Sequence, residues 1–192
     1  MKHSGFTLTE MLIALGLLSL VVLGGTYSHL LGLRMSTITQ SKLLTAQFAR
    51  AALNDTRDEI RSAQTVYVGN GTKTSFTFLP ANAPRQGNAV QIYLTTDTND
   101  FIRYYVDATD QTLRRITKGS TNAAVIGNYV TNLIAFTAED FAGRAMTNDQ
   151  DNIVVRMNLD FLKLDYAVLD ARGRKVTDYY RVQTRTTRRA IE

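Results

Sequence analysis

The stretch GFTLTEMLIALGLLSLVVLGG, residues 5–25, is a membrane-length apolar run with a glutamate near its start. A carboxylate at the bilayer centre costs about 2.5 to 3.5 kcal/mol on insertion scales, so Glu10 needs a reason to be there. From Met11 to Leu33 there is no Asp, Glu, Lys or Arg, and these 23 residues, at about 1.5 Å of helix each, cover the ~30 Å hydrocarbon core. The chain of 192 residues reads as one membrane helix followed, beyond Ala63, by 129 residues of mixed composition, enough for one globular core.

Three readings of the entry segment compete. A secretory signal would place a basic residue, a short apolar stretch and then a small-residue cleavage site. Lys2 fits its first part, but the glutamate and the uncharged length do not. A plain anchor explains the length, gives no reason for Glu10, and finds weak orientation signals in Lys2 before the run and Arg34 and Lys42 after it. In the third reading the chain is cut after Gly5, so that Phe6 carries a new α-amino group with an ordinary pKa of about 8 and Glu10 gains a cationic partner.

The succession K-H-S-G then F-T-L-T-E resembles the type III signal of type IV pilins and pseudopilins, in which a short basic leader ends in Gly, Phe follows, and Glu stands four positions later. The resemblance implies a leader over 1–5, cleavage between Gly5 and Phe6 by a prepilin peptidase on the cytoplasmic side, and N-methylation of Phe6. It also implies that Glu10 meets the terminal amine of a neighbouring subunit in the membrane and sets axial register. Opposite charges brought together in a low dielectric each lose solvation, so such a pair gives specificity more safely than stability. Four residues is also the helical spacing at which Glu10 approaches the amine of its own chain; only the intermolecular pair makes it an assembly determinant.

No Pro or Gly occurs between Leu33 and Ala63 while Leu, Ala, Gln, Lys and Arg are frequent, so the helix is expected to continue from the span (6–33) as an extramembrane stalk (34–63). Leu31, Met35 and Ile38 share one face; Leu44, Phe48, Ala51 and Ala52 share another. Two offset stripes indicate two partners, or else one amphipathic core helix of imperfect period. Gly24, Ser28, Gly32 and Ser36 recur every four residues, a ridge on which another helix can pack closely in the membrane, although Gly is common in spans. Type IV pilins often carry a Pro in this region; here local melting would have to rest on Gly24 and Gly25.

After Ala63 the pattern changes to alternation. Strands are expected at TVYV (65–68), SFTFL (75–79), VQIYL (90–94), FIRYYV (101–106), YVTNLIAFTA (129–138), NIVVRMNLDF (152–161) and YYRVQTRTT (179–187). FIRYYVDATDQTLRRI reads as a hairpin, and the remaining links PANAPRQGN, TKGSTNAAVIGN, AGRAMTNDQDN and DARGRK as turns. The expected fold is α+β: a pilin-like long N-terminal helix packed on an antiparallel β-sheet head over 64–192. The order of stalk, short strands, hairpin and closing basic strand resembles the J-type minor pseudopilin of type II secretion and the W-type minor pilin of type IV pili, though the Cys pair of many pilins is missing.

Cysteine is absent and the two histidines are His3 and His29, so the head can build neither a Ser-His-Asp arrangement nor a transition-metal site. No cofactor is expected. Carboxylate-only catalysis would have to use Glu139 and Asp140 or Asp149 and Asp151. The TNDQDN segment (147–152) offers oxygens for calcium but lacks the Gly and Glu of an EF-hand, and reads as a solvated loop. The net charge of +5 includes a basic C-terminal end of Arg181, Arg185, Arg188 and Arg189, near Arg172, Arg174 and Lys175. A solvated edge that discourages strand aggregation is preferred for it over nucleic-acid contact.

The expected function is that of a structural minor pseudopilin or minor pilin at the tip of a filament, not an enzyme. It would sit in the inner membrane with its head outside the cytoplasm, its partners being other pilin-like subunits through their N-terminal helices. A DNA-binding minor pilin of an uptake machine is the alternative.

Overall fold

The computed structural model describes residues 7–149, 154–163 and 178–188, and of Thr37, Ile38, Ser41, Lys42, Leu44, Thr45, Phe48, Lys163 and Asp178 the backbone only. One helix, α1 (Leu8–Ser62), is followed by ten strands: β1 (Thr65–Gly71), β2 (Phe76–Thr77), β3 (Gln86–Gly87), β4 (Ala89–Tyr93), β5 (Phe101–Asp107), β6 (Thr112–Thr117), β7 (Ala124–Asn128), β8 (Phe136–Glu139), β9 (Val154–Lys163) and β10 (Asp178–Thr187). The architecture is α+β with antiparallel sheets, as expected. Two compact units divide the chain between Thr45 and Ala46, so the last four turns of α1 belong to the unit that holds the strands.

In the first unit α1 is apolar and exposed. Leu8–Ser36 is long and apolar enough to cross a membrane, and Leu31 and Met35 are open to solvent like the rest of that segment. In the second unit the helix buries Ala49, Ala52, Leu53, Thr56 and Ile60, the 3-and-4 spacing of a single core-facing stripe. Ala52 lies on it but Ala51 is exposed, because a step of one residue turns the side chain about 100° around the axis. The expected second stripe therefore loses Ala51; the side chains of Ile38, Leu44 and Phe48 lie outside the described residues.

The strands form a six-stranded sheet, β2-β1-β4-β5-β6-β7, and a four-stranded sheet, β10-β9-β8-β3. One core joins them: Val66, Val68, Val90, Ile92, Ile102, Tyr104 and Val106 from the first meet Phe136, Val155, Met157, Leu159 and Phe161 from the second, with the helix stripe against both. In β9 the alternation is complete, with Val155, Met157, Leu159 and Phe161 all inward. Arg115 on β6 grips Glu59 on α1, its Nη2 and Nε donating to Oε1 at 2.7 and 3.0 Å. Burial, with the Glu59 carboxylate beside it, pushes the Tyr104 phenol up.

The outer face of the six-stranded sheet is not left to water. Tyr67 meets Phe78 and Tyr93 edge-on at 5.3 and 6.0 Å, Phe76 meets Phe78 at 5.2 Å, and the Arg103 guanidinium lies over the Phe101 ring. Beneath this layer Gln91 is buried and accepts a 2.8 Å bond from Arg103 Nε, so β4 is covered on both faces.

The two sheets are joined where the chain passes from β3 into β4. Asn88 staples three strands there: its Oδ1 accepts the Gly71 N–H at 2.8 Å, and its Nδ2 donates to the carbonyls of Gly71 and Val106 at 2.9 and 3.0 Å. Gly69 and Gly87 make this crossing possible, since a Cβ on Gly87 would sit on the Gly69 carbonyl.

Several strand boundaries differ from expectation. The FIRYYV–TLRRI hairpin forms in register, Asp107 opposite Thr112. Two strands lie in stretches read as turns: β7 within TKGSTNAAVIGN and β3 within PANAPRQGN. Both owe their existence to pairing with a neighbour, β6 or β8, and not to an apolar period of their own. Conversely, YVTNLIAFTA yields only β8 and an isolated Val130–Phe161 bridge. The Asn132 side chain donates to the carbonyls of Ile134 and Asn158 at 2.8 and 2.6 Å and accepts the Asp160 N–H at 2.8 Å. A side chain thus replaces the ladder, and Leu133 and Ile134 are turned outward. SFTFL shortens to Phe76–Thr77 because Thr72 Oγ1 accepts the Ser75 N–H at 3.2 Å in a side-chain turn.

Candidate assembly site

Glu10 stands at the third position of α1, and the start of the helix is built around it. The Thr7 N–H and the Thr7 hydroxyl each donate to Glu10 Oε2 at 2.9 Å, and the Glu10 N–H points back at Thr7 Oγ1 at 3.4 Å. This is a capping box: Thr7 is the N-cap, Glu10 is N3, and each satisfies a backbone donor that the helix leaves open. T-L-T-E before an apolar run is the sequence sign of that motif, and the sequence reading above missed it. Glu10 is therefore held by its own helix at one oxygen, while its surroundings, Leu8, Met11, Leu12 and Ile13, are all exposed. No protein group among the described residues covers this end of the helix.

The small-residue ridge is open in the same sense. Gly24, Ser28, Gly32 and Ser36 are exposed, and a Cβ built at Gly24 or Gly32 meets nothing within 4 Å. Hydroxyls along the span are bonded internally, as where Thr26 Oγ1 donates to the Val22 carbonyl at 2.8 Å, which lowers the penalty for a polar side chain in lipid. Gly5 and Phe6 lie outside the described residues.

In the head, three of the carboxylates considered for catalysis or calcium, Glu139, Asp140 and Asp149, are paired with arginines. Glu139, only 1% exposed, sits between Arg156 Nη1 at 2.7 Å and Arg185 Nε at 3.1 Å. Asp140 accepts from Arg144 Nε at 2.8 Å and from its backbone N–H at 2.9 Å, and these bonds, the backbone one foremost, hold its carboxyl below the usual range. Asp149 is taken by the buried Arg85, Nε to Oδ1 at 2.9 Å, which also donates to the Leu79 carbonyl at 2.7 Å. Asp151 and the rest of the 150–152 segment lie outside the described residues.

Two arginines of the basic end, Arg181 and Arg185, are ion-paired, while Arg172, Arg174 and Lys175 lie outside the described residues. Arg181 on β10 grips Asp160 on β9 through two bonds, Nε to Oδ1 at 2.6 Å and Nη2 to Oδ2 at 2.9 Å, and packs against Tyr179. Arg185 serves Glu139, Arg188 is half-buried just beyond β10, and Arg189 lies outside the described residues. The Arg181 guanidinium holds the Asp160 carboxyl below the usual carboxylate range. A depressed folded-state pKa means stability that is present above the unfolded value, ~3.9, and lost as pH falls through the folded value. Asp160→Asn is accordingly expected to lower the urea midpoint at pH 7, and its difference from the parent protein is expected to shrink as pH falls below the unfolded value of ~3.9 and through the lower folded one. A difference that stays constant with pH would assign Asp160 a purely neutral hydrogen-bonding role.

The family model of the prokaryotic N-terminal methylation motif matches residues 1–26. No curated protein and no solved structure matches the chain. The motif ends inside the segment Leu8–Ser36, which fits the single-pass membrane anchoring typical of it. Residues 1–26 carry the prokaryotic N-terminal methylation motif, the type IV prepilin signal, which marks the chain as a type IV pilin-like precursor.

Proposed function

We propose that this precursor becomes a structural minor subunit at the tip of a type II secretion pseudopilus or a type IV pilus. A prepilin peptidase cuts between Gly5 and Phe6 and methylates the Phe6 amine; α1 holds the subunit in the inner membrane with its head beyond it. Assembly then brings Glu10 to the terminal amine of a neighbouring subunit, with Gly24, Ser28, Gly32 and Ser36 as the packing ridge. The observation that carries this reading is the coincidence of the methylation motif with a helical segment, Leu8–Ser36, that is long and apolar enough to cross a membrane and is exposed along its length among the described residues. The ion pairing of Arg181 and Arg185 favours a solvated, guarded strand edge at that end over a nucleic-acid surface.

The capping box makes the test sharper. Glu10→Ala removes both the charge and the cap, whereas Glu10→Gln keeps an N3 side chain able to cap and removes only the charge. Both variants are expected to be processed normally and to lose capture of neighbouring subunits in a crosslinking assay on intact cells, by tenfold or more. Gly5→Arg should instead block processing, read as a retained leader by mass spectrometry. Assembly of Glu10→Gln at the parent level would reduce Glu10 to a helix cap and remove the intermolecular pair.

A further inference from the structure

We propose that Asn70–Gly71 is a modification site that forms a succinimide, held shut in the native fold by the Asn88 side chain and opened when the tip of β1 loosens. The reaction needs only water, and the inference stands apart from the assembly reading, which concerns the N-terminal helix.

Asn70–Gly71 is the one Asn-Gly pair in the sequence. With no Cβ on the residue that follows, the Gly71 nitrogen meets the least steric resistance to closing an imide ring on the Asn70 side chain. In that closure the Gly71 N–H gives its proton to solvent, its nitrogen bonds to Asn70 Cγ, the Cγ–Nδ2 bond breaks, and Nδ2 leaves as ammonia. Water then opens the ring at one carbonyl or the other, leaving an aspartyl or an isoaspartyl residue at position 70.

The fold withholds the nucleophile and leaves the amide in water: Gly71 is buried and Asn70 exposed. Both lie in β1, whose extended backbone turns the Gly71 nitrogen away from the Asn70 side chain, so the ring closes only after that peptide rotates. The β1–β4 ladder ends at the Gly69–Ala89 pair, and beyond it the Asn88 amide stands in for β4. Its Oδ1 accepts the Gly71 N–H at 2.8 Å and its Nδ2 donates to the Gly71 carbonyl at 2.9 Å, so one side chain fixes both ends of Gly71. On the other side the tip is held by β2, a two-residue strand at the end of the sheet, through Asn70–Thr77 and Gly71–Phe76. A strand end closed by one amide and so short a neighbour belongs to the low-stability part of a fold, which opens without global unfolding. The isoaspartyl product cannot close again: it adds a methylene to the main chain, and the Gly71 bonds to Asn88 and the Thr72–Ser75 turn lose their register. Position 70 therefore records each molecule whose β1 tip has opened.

The test incubates the full chain in detergent micelles at mildly alkaline pH, folded and in concentrated urea, and follows position 70 by peptide mass spectrometry. The folded chain is expected to convert at least about 30-fold more slowly than the chain in urea. Asn88→Ala, shown to be folded by its thermal transition, should convert about tenfold faster than the folded parent. Gly119→Ala, in the link between β6 and β7 where its Cβ meets nothing, should keep the parent rate, because its penalty acts on global unfolding and not on the β1 tip. If Asn88→Ala does not fold, the parent decides alone, through its rate of conversion and through the Gly71 amide, whose hydrogen exchange should be at least about 30-fold slower folded than in urea. A folded parent that converts within about threefold of the urea rate, a folded Asn88→Ala at the parent rate, or equal acceleration by Gly119→Ala would each overturn the proposal.

Discussion

Gly87→Ala is expected to cost the head about 3 kcal/mol or more, or to leave it insoluble. The added methyl would overlap the Gly69 carbonyl oxygen and lie 2.6 Å from the carbonyl carbon and 2.8 Å from Asn70 Oδ1. Backbone cannot swing aside as a flexible side chain can, and here it is fixed on both sides. Gly69 pairs with Ala89 in the β1–β4 ladder, and the Gly87 carbonyl accepts the Ala135 N–H at 3.0 Å. Relief would require the β3–β8 pairing to separate from β1, and the three bonds of Asn88 next to it would be lost together. Gly119→Ala is the control: its φ of +76° imposes a local penalty, but its Cβ would meet nothing, so a loss of about 1 kcal/mol is expected. Urea unfolding of the fragment beginning at Ala46 measures both. Equal losses would show that the sheet junction yields more easily than its distances imply.

The difference between these glycines also shows what could be read from the residues alone. Strands that carry their own period were legible: Val155, Met157, Leu159 and Phe161 alternate and are inward, and the FIRYYV hairpin closes where its polar turn predicts. Strands that exist because a neighbour pairs with them, β3 and β7, show no period of their own, and their residues alone indicate turns. Asn132 and Asn88 act over 26 and 18 residues of separation, and nothing in their immediate neighbours marks an amide that substitutes for a ladder. At the N-terminus, Gly5, Phe6 and Glu10 are legible as a motif, and the cap that holds Glu10 is local too, since Thr7 and Glu10 stand three residues apart. The arginines that pair with Glu139 and Asp149 come from 17 to 64 residues away, so these pairings cannot be read from the residues next to the acids.

Replacing both Arg156 and Arg185 by Met is expected to cost about 3 to 5 kcal/mol, clearly more than the sum of the single changes. Glu139 is 1% exposed, and its two cations come from neighbouring strands on the same sheet face, Arg156 on β9 and Arg185 on β10. Remove one, and the other still holds the carboxylate while β8 and β9 stay paired from Phe136–Met157 to Glu139–Val154; each single change should cost about 1 kcal/mol. Remove both, and a buried charge is left without a partner. The reverse substitution, Glu139→Leu, should be milder than the double arginine change, at about 2 kcal/mol. It strands no buried charge, because the Arg156 and Arg185 side chains are 32% and 55% exposed and can turn to water. A double-mutant cycle on the fragment from Ala46 gives the coupling directly. Additive single changes, or a Glu139→Leu loss equal to that of the double arginine variant, would mean that the fold tolerates this carboxylate unpaired and that the arginines serve only the surface.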